Sequence, residues 1–254
     1  MIPRASSPRL IQWLAIAAVL AAGCAGSRPE PRSAYSTAAV DAAREAGASF
    51  DSLPSEPLAK QVATLETIRE HVVNVWRDTP AINPGGTVNA LVEVSFGSRD
   101  KFEYDIETNA MKLDRVLDES VGGYPINYGC MPQTFSWDGD PFDVVVLGPP
   151  LESGIVVRGA VVDIYHMVDE KGFDPHLVIS PLDEDDDPIY TLNEAMRTEI
   201  ATFVDRYKKP EADQGKWARF VGWGDRDEAR RFVKMTYTFF EEARFRQIEA
   251  LESQ

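Results

Sequence analysis

The run Ser136-Trp137-Asp138-Gly139-Asp140-Pro141-Phe142-Asp143, followed at once by Val144-Val145-Val146-Leu147, decides the reading of this chain. Gly139 and Pro141 dictate a tight turn, and the apolar, mostly β-branched run behind them predicts a buried strand. The turn therefore gathers three carboxylates at one strand end. Carboxylates crowded in this way repel one another unless cations or protons lie between them. Hard divalent ions such as Mg²⁺ prefer oxygen ligands and are the natural occupants. A solvated acidic turn is the alternative that the local pattern leaves open.

Working outward, Leu91–Phe96 and Lys101–Ile106 read as two strands, with Gly97-Ser98-Arg99-Asp100 as the loop of a hairpin between them. Further strands are expected over Met111–Leu117, Asp143–Leu147, Ile155–Tyr165 and His176–Ser180. Leu58, Val62, Leu65, Ile68 and Val72 recur every three or four residues and predict an amphipathic helix at the domain edge. Leu192–Tyr207 and Asp225–Leu251 read as helices, the second long and highly charged. Strands come first and helices last, which predicts an α+β chain, mainly β. Short strands separated by turns favour a barrel or sandwich over a parallel βαβ sheet.

With 254 residues the chain has room for one medium domain plus appendages. Its formal charge of −15 argues against nucleic acid or an anionic membrane as a partner. An anionic substrate would need metal ions to reverse the local sign. At the N-terminus, Arg4 and Arg9 precede an apolar run from Leu10 to Ala22 that is short for a membrane span and has the layout of a secretory signal. Leu20-Ala21-Ala22-Gly23-Cys24 resembles a bacterial lipobox, with Ala21 where such boxes usually carry Leu. Residues 1–23 are thus expected to be a lipoprotein-type signal and Cys24 the lipidated residue. Ordinary cleavage to a soluble periplasmic protein is the other option. Residues 24–55, rich in Ala, Ser, Pro and Arg, read as a flexible tether, leaving 56–254 as the domain. The second cysteine, Cys130, is expected to be a small buried hydrophobe with no disulfide.

Four further segments share the chemical style of the acidic turn. They are Asp169-Glu170-Lys171-Gly172-Phe173-Asp174, the same-face pair Lys101 and Glu103, Arg115 on a strand, and Tyr207-Lys208 followed by Gly215-Lys216-Trp217. Each taken singly is ordinary surface charge. In this order and spacing, together with Tyr124-Pro125-Ile126-Asn127-Tyr128-Gly129 and Gly222-Trp223, they resemble the soluble family I inorganic pyrophosphatases, from about Ala90 to Trp223. The most specific match is Asp138-Gly139-Asp140-Pro141-Phe142-Asp143-Val144.

The resemblance implies a five-stranded, OB-like closed barrel with flanking helices, and hydrolysis of pyrophosphate to two orthophosphates with several Mg²⁺ per site. It implies that Asp138, Asp143 and Asp174 hold the tighter metal. Asp169 and Asp174 would hold one arriving with substrate, and Glu103 a further one through water. Glu93 matches an acid near the outer metals. By the same likeness Asp140 helps deprotonate the attacking water, while Lys101, Arg115, Tyr128, Tyr207 and Lys208 hold the phosphates, the first three also serving catalysis. Departures are also visible. Pro175-His176 stands where the family typically has a Lys two residues after the third ligand Asp, and Cys130 replaces a second Tyr. His176 either weakens phosphate retention or is a surface residue beside a proline. Two extra residues before Gly215 make the role of Lys216 less secure. Arg206 and Thr202 occupy positions where many bacterial members carry interface histidines, so a homo-oligomer is possible but the usual hexamer does not transfer. Family members are usually cytoplasmic, whereas this chain is expected to be exported and anchored facing the periplasm. Two alternatives are a hydrolase of other phosphoanhydrides and a metal- and phosphate-binding lipoprotein without turnover. The acidic run Asp183–Asp187 reads as a solvated loop.

Overall fold

The computed structural model describes residues 34–52, 54–68 and 73–252. The signal segment, Cys24 and the first part of the expected tether lie outside the described residues. Strand β1 (Val88–Val94) is buried along its whole length. Its second half, Leu91–Val94, pairs antiparallel with β4 (Asn127–Cys130), and its first half, Val88–Leu91, with the start of β6 (Val156–Asp169). From β4 the pairing continues to β5 (Asp143–Val146), which runs parallel to β7 (Gly172–Pro181), and β7 pairs antiparallel with β6. The second half of β6, Tyr165–Asp169, also carries β8 (Ala218–Trp223). The fold is mainly β with flanking helices, as the order of strands and helices in the sequence predicts.

The expected hairpin between 91–96 and 101–106 does not form. Strand β2 (Asp100–Asp105) instead pairs with β3 (Ala110–Val116) as a separate two-stranded sheet. Both edges of β1 carry other strands over part of their length, β4 at Leu91–Val94 and β6 at Val88–Leu91, and β2 meets β1 through the Tyr104 N–H, which donates to the Glu93 carboxylate. Strand β4 was not expected at all. Gly129 is required in it, because a Cβ at that position would lie 1.9 Å from the Leu91 carbonyl oxygen.

The tether reading is corrected over residues 34–52. Helix α1 (Thr37–Ala46) is capped by the Ser36 hydroxyl, which accepts from the Ala39 N–H, and ends at Gly47 with φ +67°. Ala39, Ala42 and Ala43 are buried and bring the helix against β6, β7 and β8. Small apolar side chains allow that close approach while giving little hydrophobic contrast in the sequence. Behind the helix, Phe50 stacks on Tyr35 at 4.3 Å and meets Trp137, Phe173 and Phe232 edge-on.

The expected amphipathic helix is α2 (Ser55–Thr67); the last of its predicted apolar positions, Val72, lies outside the described residues. A short turn, α3 (Val75–Asp78), buries Trp76 against Phe135 and Phe240. Helix α4 (Glu194–Val204) is capped by Asn193. The long α5 (Arg226–Glu252) packs on both α2 and β6, burying Phe232, Phe239 and Phe240.

Candidate active site

The acidic turn between β4 and β5 is positioned from behind. Trp137 is buried against Phe173, Phe232 and Phe239, and its indole N–H donates to the Ser49 carbonyl at 2.8 Å. Gly139 adopts φ +82°, a left-handed conformation that swings the backbone between Asp138 and Asp140. The Asp140 N–H donates to Asp138 Oδ1 at 3.0 Å, closing the turn on itself. Its three carboxylates open into a cleft of about 710 Å³.

The other walls come from distant parts of the chain. Lys101 and Glu103 project together from β2 and are ion-paired, with Arg115 opposite on β3. Tyr128 enters from β4, Asp169 from the end of β6, and Asp174 from β7. Tyr207 and Lys208 follow α4. Each of the sequence-expected residues from Lys101 to Lys208 therefore lines one cleft, as do Glu93 and Lys216. Cys24 lies outside the described residues. Cys130 is buried, as expected.

Within the cleft the tightest group is Asp143, Asp174 and His176, each offering one ligand atom within 4.8 Å of the others. Asp138 stands outside this trio, although its charge is felt there. Strand alternation explains the group: Asp174 and His176 share a face of β7, and the parallel pairing of β5 with β7 sets Asp143 beside them. His176 is not a surface residue but is buried in the floor of the cleft. Its Nε2 lies 3.2 Å from Asp174 Oδ2 and 3.3 Å from Asp143 Oδ2, yet makes an aligned hydrogen bond with neither. Its Nδ1 is 2.7 Å from the Tyr165 hydroxyl.

The electrostatics carry the mark of crowded acids. Burial lifts the Asp143 carboxyl to about 7; His176 opposes that rise and Asp174 adds to it. Burial, with Asp140 and Asp174 nearby, pushes Asp138 well above the usual carboxylate range. Asp169 is likewise raised by burial and by Asp174, against the pull of Lys208. Burial drives Glu93 up to about 8. Burial would lower His176, but Asp174 and Asp143 raise it above the ordinary imidazole value. Asp140 is the exception: burial works against ionisation, but the ammonium groups of Lys171 and Lys60 hold it down to about 2.

Several partners in the cleft were given no role by the sequence. Lys60, from α2, contacts Asp140 Oδ1 at 2.6 Å, and Lys171 contacts Oδ2 at 2.9 Å. Lys208 is buried and donates to Asp169 Oδ2 at 2.8 Å and to Glu170 Oε1 at 2.9 Å. Arg115 approaches Glu211 at 3.3 Å through Nε, which is buried without an aligned acceptor. Lys171 and Glu170 could have been found from their place inside the second acidic turn. Lys60 could not, because nothing local marks it.

Divalent cations fit this donor set. The carboxylates are hard oxygen ligands, those of Asp138, Asp143 and Asp169 are raised by burial, and a buried ring nitrogen faces Asp143 and Asp174 without an aligned hydrogen bond. An ion there would relieve the repulsion that burial now exacts from the carboxylates.

The sequence profile described as Inorganic pyrophosphatase matches residues 90–241. The inorganic pyrophosphatase of Thermus thermophilus is 42% identical over 153 residues, covering 58% of this chain and 86% of that one. That of Saccharolobus solfataricus is 38% identical over 154 residues, covering 58% and 88%. The crystal structure of the Thermus thermophilus enzyme superposes with a TM-score of 0.61 at 35% identity, over 66% of this chain and 99% of that one. A structure from Coxiella burnetii gives 0.59 at 30%, over 64% and 99%. The profile match begins after α1, α2 and α3, so Lys60 reaches the acidic turn from a part of the chain that the match leaves out. With a clustered acidic site opposite a cationic wall and a profile match over more than half its length, the chain belongs to the inorganic pyrophosphatase family.

Proposed function

We propose that this chain hydrolyses inorganic pyrophosphate to two orthophosphates with the help of divalent ions, Mg²⁺ among them. The observation that carries the reading is the division of one cleft into an anionic cup, Asp138, Asp143, Asp169 and Asp174, and a cationic wall, Lys101, Arg115 and Lys208. Divalent ions bound in the cup would neutralise it and acidify a water molecule near neutral pH. All other steps fall to the chain itself.

Arg115, ion-paired with Glu211 and Asp114 but with no aligned acceptor at its buried Nε–H, offers a planar fork suited to two oxygens of one phosphate. Lys101 and Lys208 offer point charges, and the half-buried Tyr128 and Tyr207, which line the cleft, offer directional hydrogen bonds. Charge that builds on the departing phosphate oxygen as the bridging P–O bond breaks is met by these cations. Asp140 is the acceptor for the proton of the attacking water. Its low proton affinity means that it orients the water and hands the proton on rather than keeping it. Glu103 and Glu93 supply outer acidic positions from β2 and β1.

Phosphate release from pyrophosphate by the purified chain, with and without Mg²⁺, tests the reading beside Asp143→Asn and Asp140→Asn. Ion-dependent turnover that both variants reduce by about 10²-fold or more is expected. Pyrophosphate binding without turnover in the unaltered chain would overturn it. The pairing of β1 with both β4 and β6 supports regarding β1, β4, β5, β7 and β6 as the five-stranded OB-like barrel of the family. The exported, lipid-anchored form is supported by Arg4, Arg9, the Leu10–Ala22 run and Cys24. Fatty-acid labelling that persists in Cys24→Ser would refute the anchor.

A further inference from the structure

We infer that His176 is a nitrogen ligand in the divalent-ion cup, making a mixed nitrogen–oxygen set with Asp143 and Asp174 that shifts ion preference from Mg²⁺ toward Mn²⁺ and later first-row ions. The inference deepens the proposed function and rests on reading the cup as a divalent-ion site. Four observations carry it.

The distances suit one shared ion. Two ligands held at about 2.1 Å from an ion and at right angles are about 3.0 Å apart. Nε2 lies 3.2 Å and 3.3 Å from the two carboxylate oxygens, and all three atoms fall within 4.8 Å. The nitrogen also has no aligned hydrogen-bond partner: buried Nε2 faces the two carboxylate oxygens, and an ion among the three atoms would satisfy them together.

The ring is fixed from behind. Nδ1 is 2.7 Å from the Tyr165 hydroxyl, which can accept from an Nδ1 proton; that tautomer turns the Nε2 lone pair into the cup and is the one an ion at Nε2 requires. The rings of Tyr165 and Tyr128 flank it, with centroids at 4.8 Å and 5.9 Å. Finally, the backbone leaves the ring little choice: His176 shares the cup-facing side of β7 with Asp174 and is buried. A lysine in that place would bring a positive charge and no lone pair. An imidazole brings a borderline donor that binds later first-row ions better than it binds Mg²⁺, whereas carboxylates alone favour the hard ions.

The test is made on the full chain loaded with Mn²⁺. Electron spin echo modulation of the bound ion should show one directly coordinated nitrogen, and uniform ¹⁵N-histidine labelling should change its frequency. His71 and His166 are the only other histidines. His166 is buried beside Glu228, 3.5 Å from its Oε2, and does not line the cleft. In His176→Ala the nitrogen signal should vanish and the ratio of Mn²⁺ to Mg²⁺ affinity should fall by about tenfold. Mn²⁺ bound tightly by the unaltered chain with no nitrogen modulation would overturn the inference while leaving the hydrolase reading intact. Equal loss of Mn²⁺ and Mg²⁺ affinity in His176→Ala would overturn it too. Failure of the unaltered chain to bind any divalent ion at an Asp174-dependent site would bring down the reading beneath it. If His176→Ala does not fold, the labelled unaltered chain decides alone.

Discussion

Lys208 is the cation whose removal tests the charge arrangement most directly. Its Nζ is buried and touches Asp169 Oδ2 at 2.8 Å and both Glu170 oxygens at 2.9 Å and 3.0 Å. Lys208→Met keeps the aliphatic stem and deletes the charge. Asp169 then keeps only its Oδ1 bonds, from the Lys171 N–H at 2.7 Å and the Gly172 N–H at 3.1 Å, while Oδ2 is left unpaired. Stripping one partner from a buried pair costs about 3–5 kcal/mol. The surviving backbone donors place this case at the lower end, about 3 kcal/mol. With a slope of about 2 kcal/mol per molar urea, the unfolding midpoint of the metal-free variant should fall by about 1.5 M. The loss should shrink as pH falls, because burial already raises Asp169 and the absence of Lys208 raises it further, so the group takes up a proton sooner. Saturating Mg²⁺ should also shrink it to less than half, by setting a positive charge beside Asp169. Activity should behave differently: kcat/KM should stay about 10²-fold low at any ion concentration, since the phosphate has lost a charged donor. Urea titrations of variant and unaltered chain, each with and without Mg²⁺, read the stability effect. An equal drop in both conditions would refute the idea that ion and ammonium compete for the same carboxylate.

Three other expectations follow from particular contacts. Phe50→Ala, which opens the aromatic cluster behind Trp137 and Phe173, should cost about 2 kcal/mol, roughly half the penalty of a fully buried Phe; an unchanged urea midpoint would show that residues 34–52 do not support the domain. Glu93 is pushed up to about 8 by burial, so the folded chain holds a proton that the unfolded chain, near 4.5, has lost. Its contribution is therefore full below pH 4.5 and declines as pH rises toward 8, and metal-free Glu93→Gln should show a shallower fall of stability across that window. Gly129→Ala drives a Cβ to 1.9 Å from the Leu91 carbonyl oxygen and should destabilise by about 3 kcal/mol or more; a wild-type denaturation curve would mean that β1 and β4 can separate freely.

What the sequence could reveal was set by how local the cause was. The turn Asp138–Asp143 is legible because Gly139 and Pro141 punctuate it and the valines behind it have one comfortable home. The two turn segments and the Tyr207-Lys208 pair were legible as chemistry only together, through the family pattern. Helix α1 was hidden because its buried face is made of Ala39, Ala42 and Ala43, which differ little in hydrophobicity from their neighbours. The β1–β2 hairpin was misread because pairing depends on which strand edges are free, and β1 spends both on strands that follow later in the chain. His176 read as a departure in the phosphate pocket or as a surface residue. Its place beside Asp143 comes from a parallel strand pairing that no adjacent residue encodes. Lys60 meets Asp140 across 80 positions, and only the packing of α2 brings them together.

The cup can exist before any ion arrives because the chain lends it cations of its own. Asp140 is met by Lys60 and Lys171, Asp169 by Lys208, and Asp143 and Asp174 by His176, which acts as a cation only while protonated and would give up that proton to an ion. These loans differ in kind. The ammonium groups reach on long flexible stems and can turn away, whereas His176 is fixed by Tyr165 and stays where it is. An ion held by Asp169 would weaken its pairing with Lys208, leaving the ammonium on Glu170 and open to a phosphate oxygen. Ion and substrate affinity must then rise together, by the same factor in each direction, since both draw on one competition. The shrinking penalty expected for Lys208→Met in Mg²⁺ is the measurable side of that competition. An acidic chain with a net charge of −15 would in this way receive a polyanion, because lysines displaced by ions from the acids they pair with would be free for phosphate oxygens.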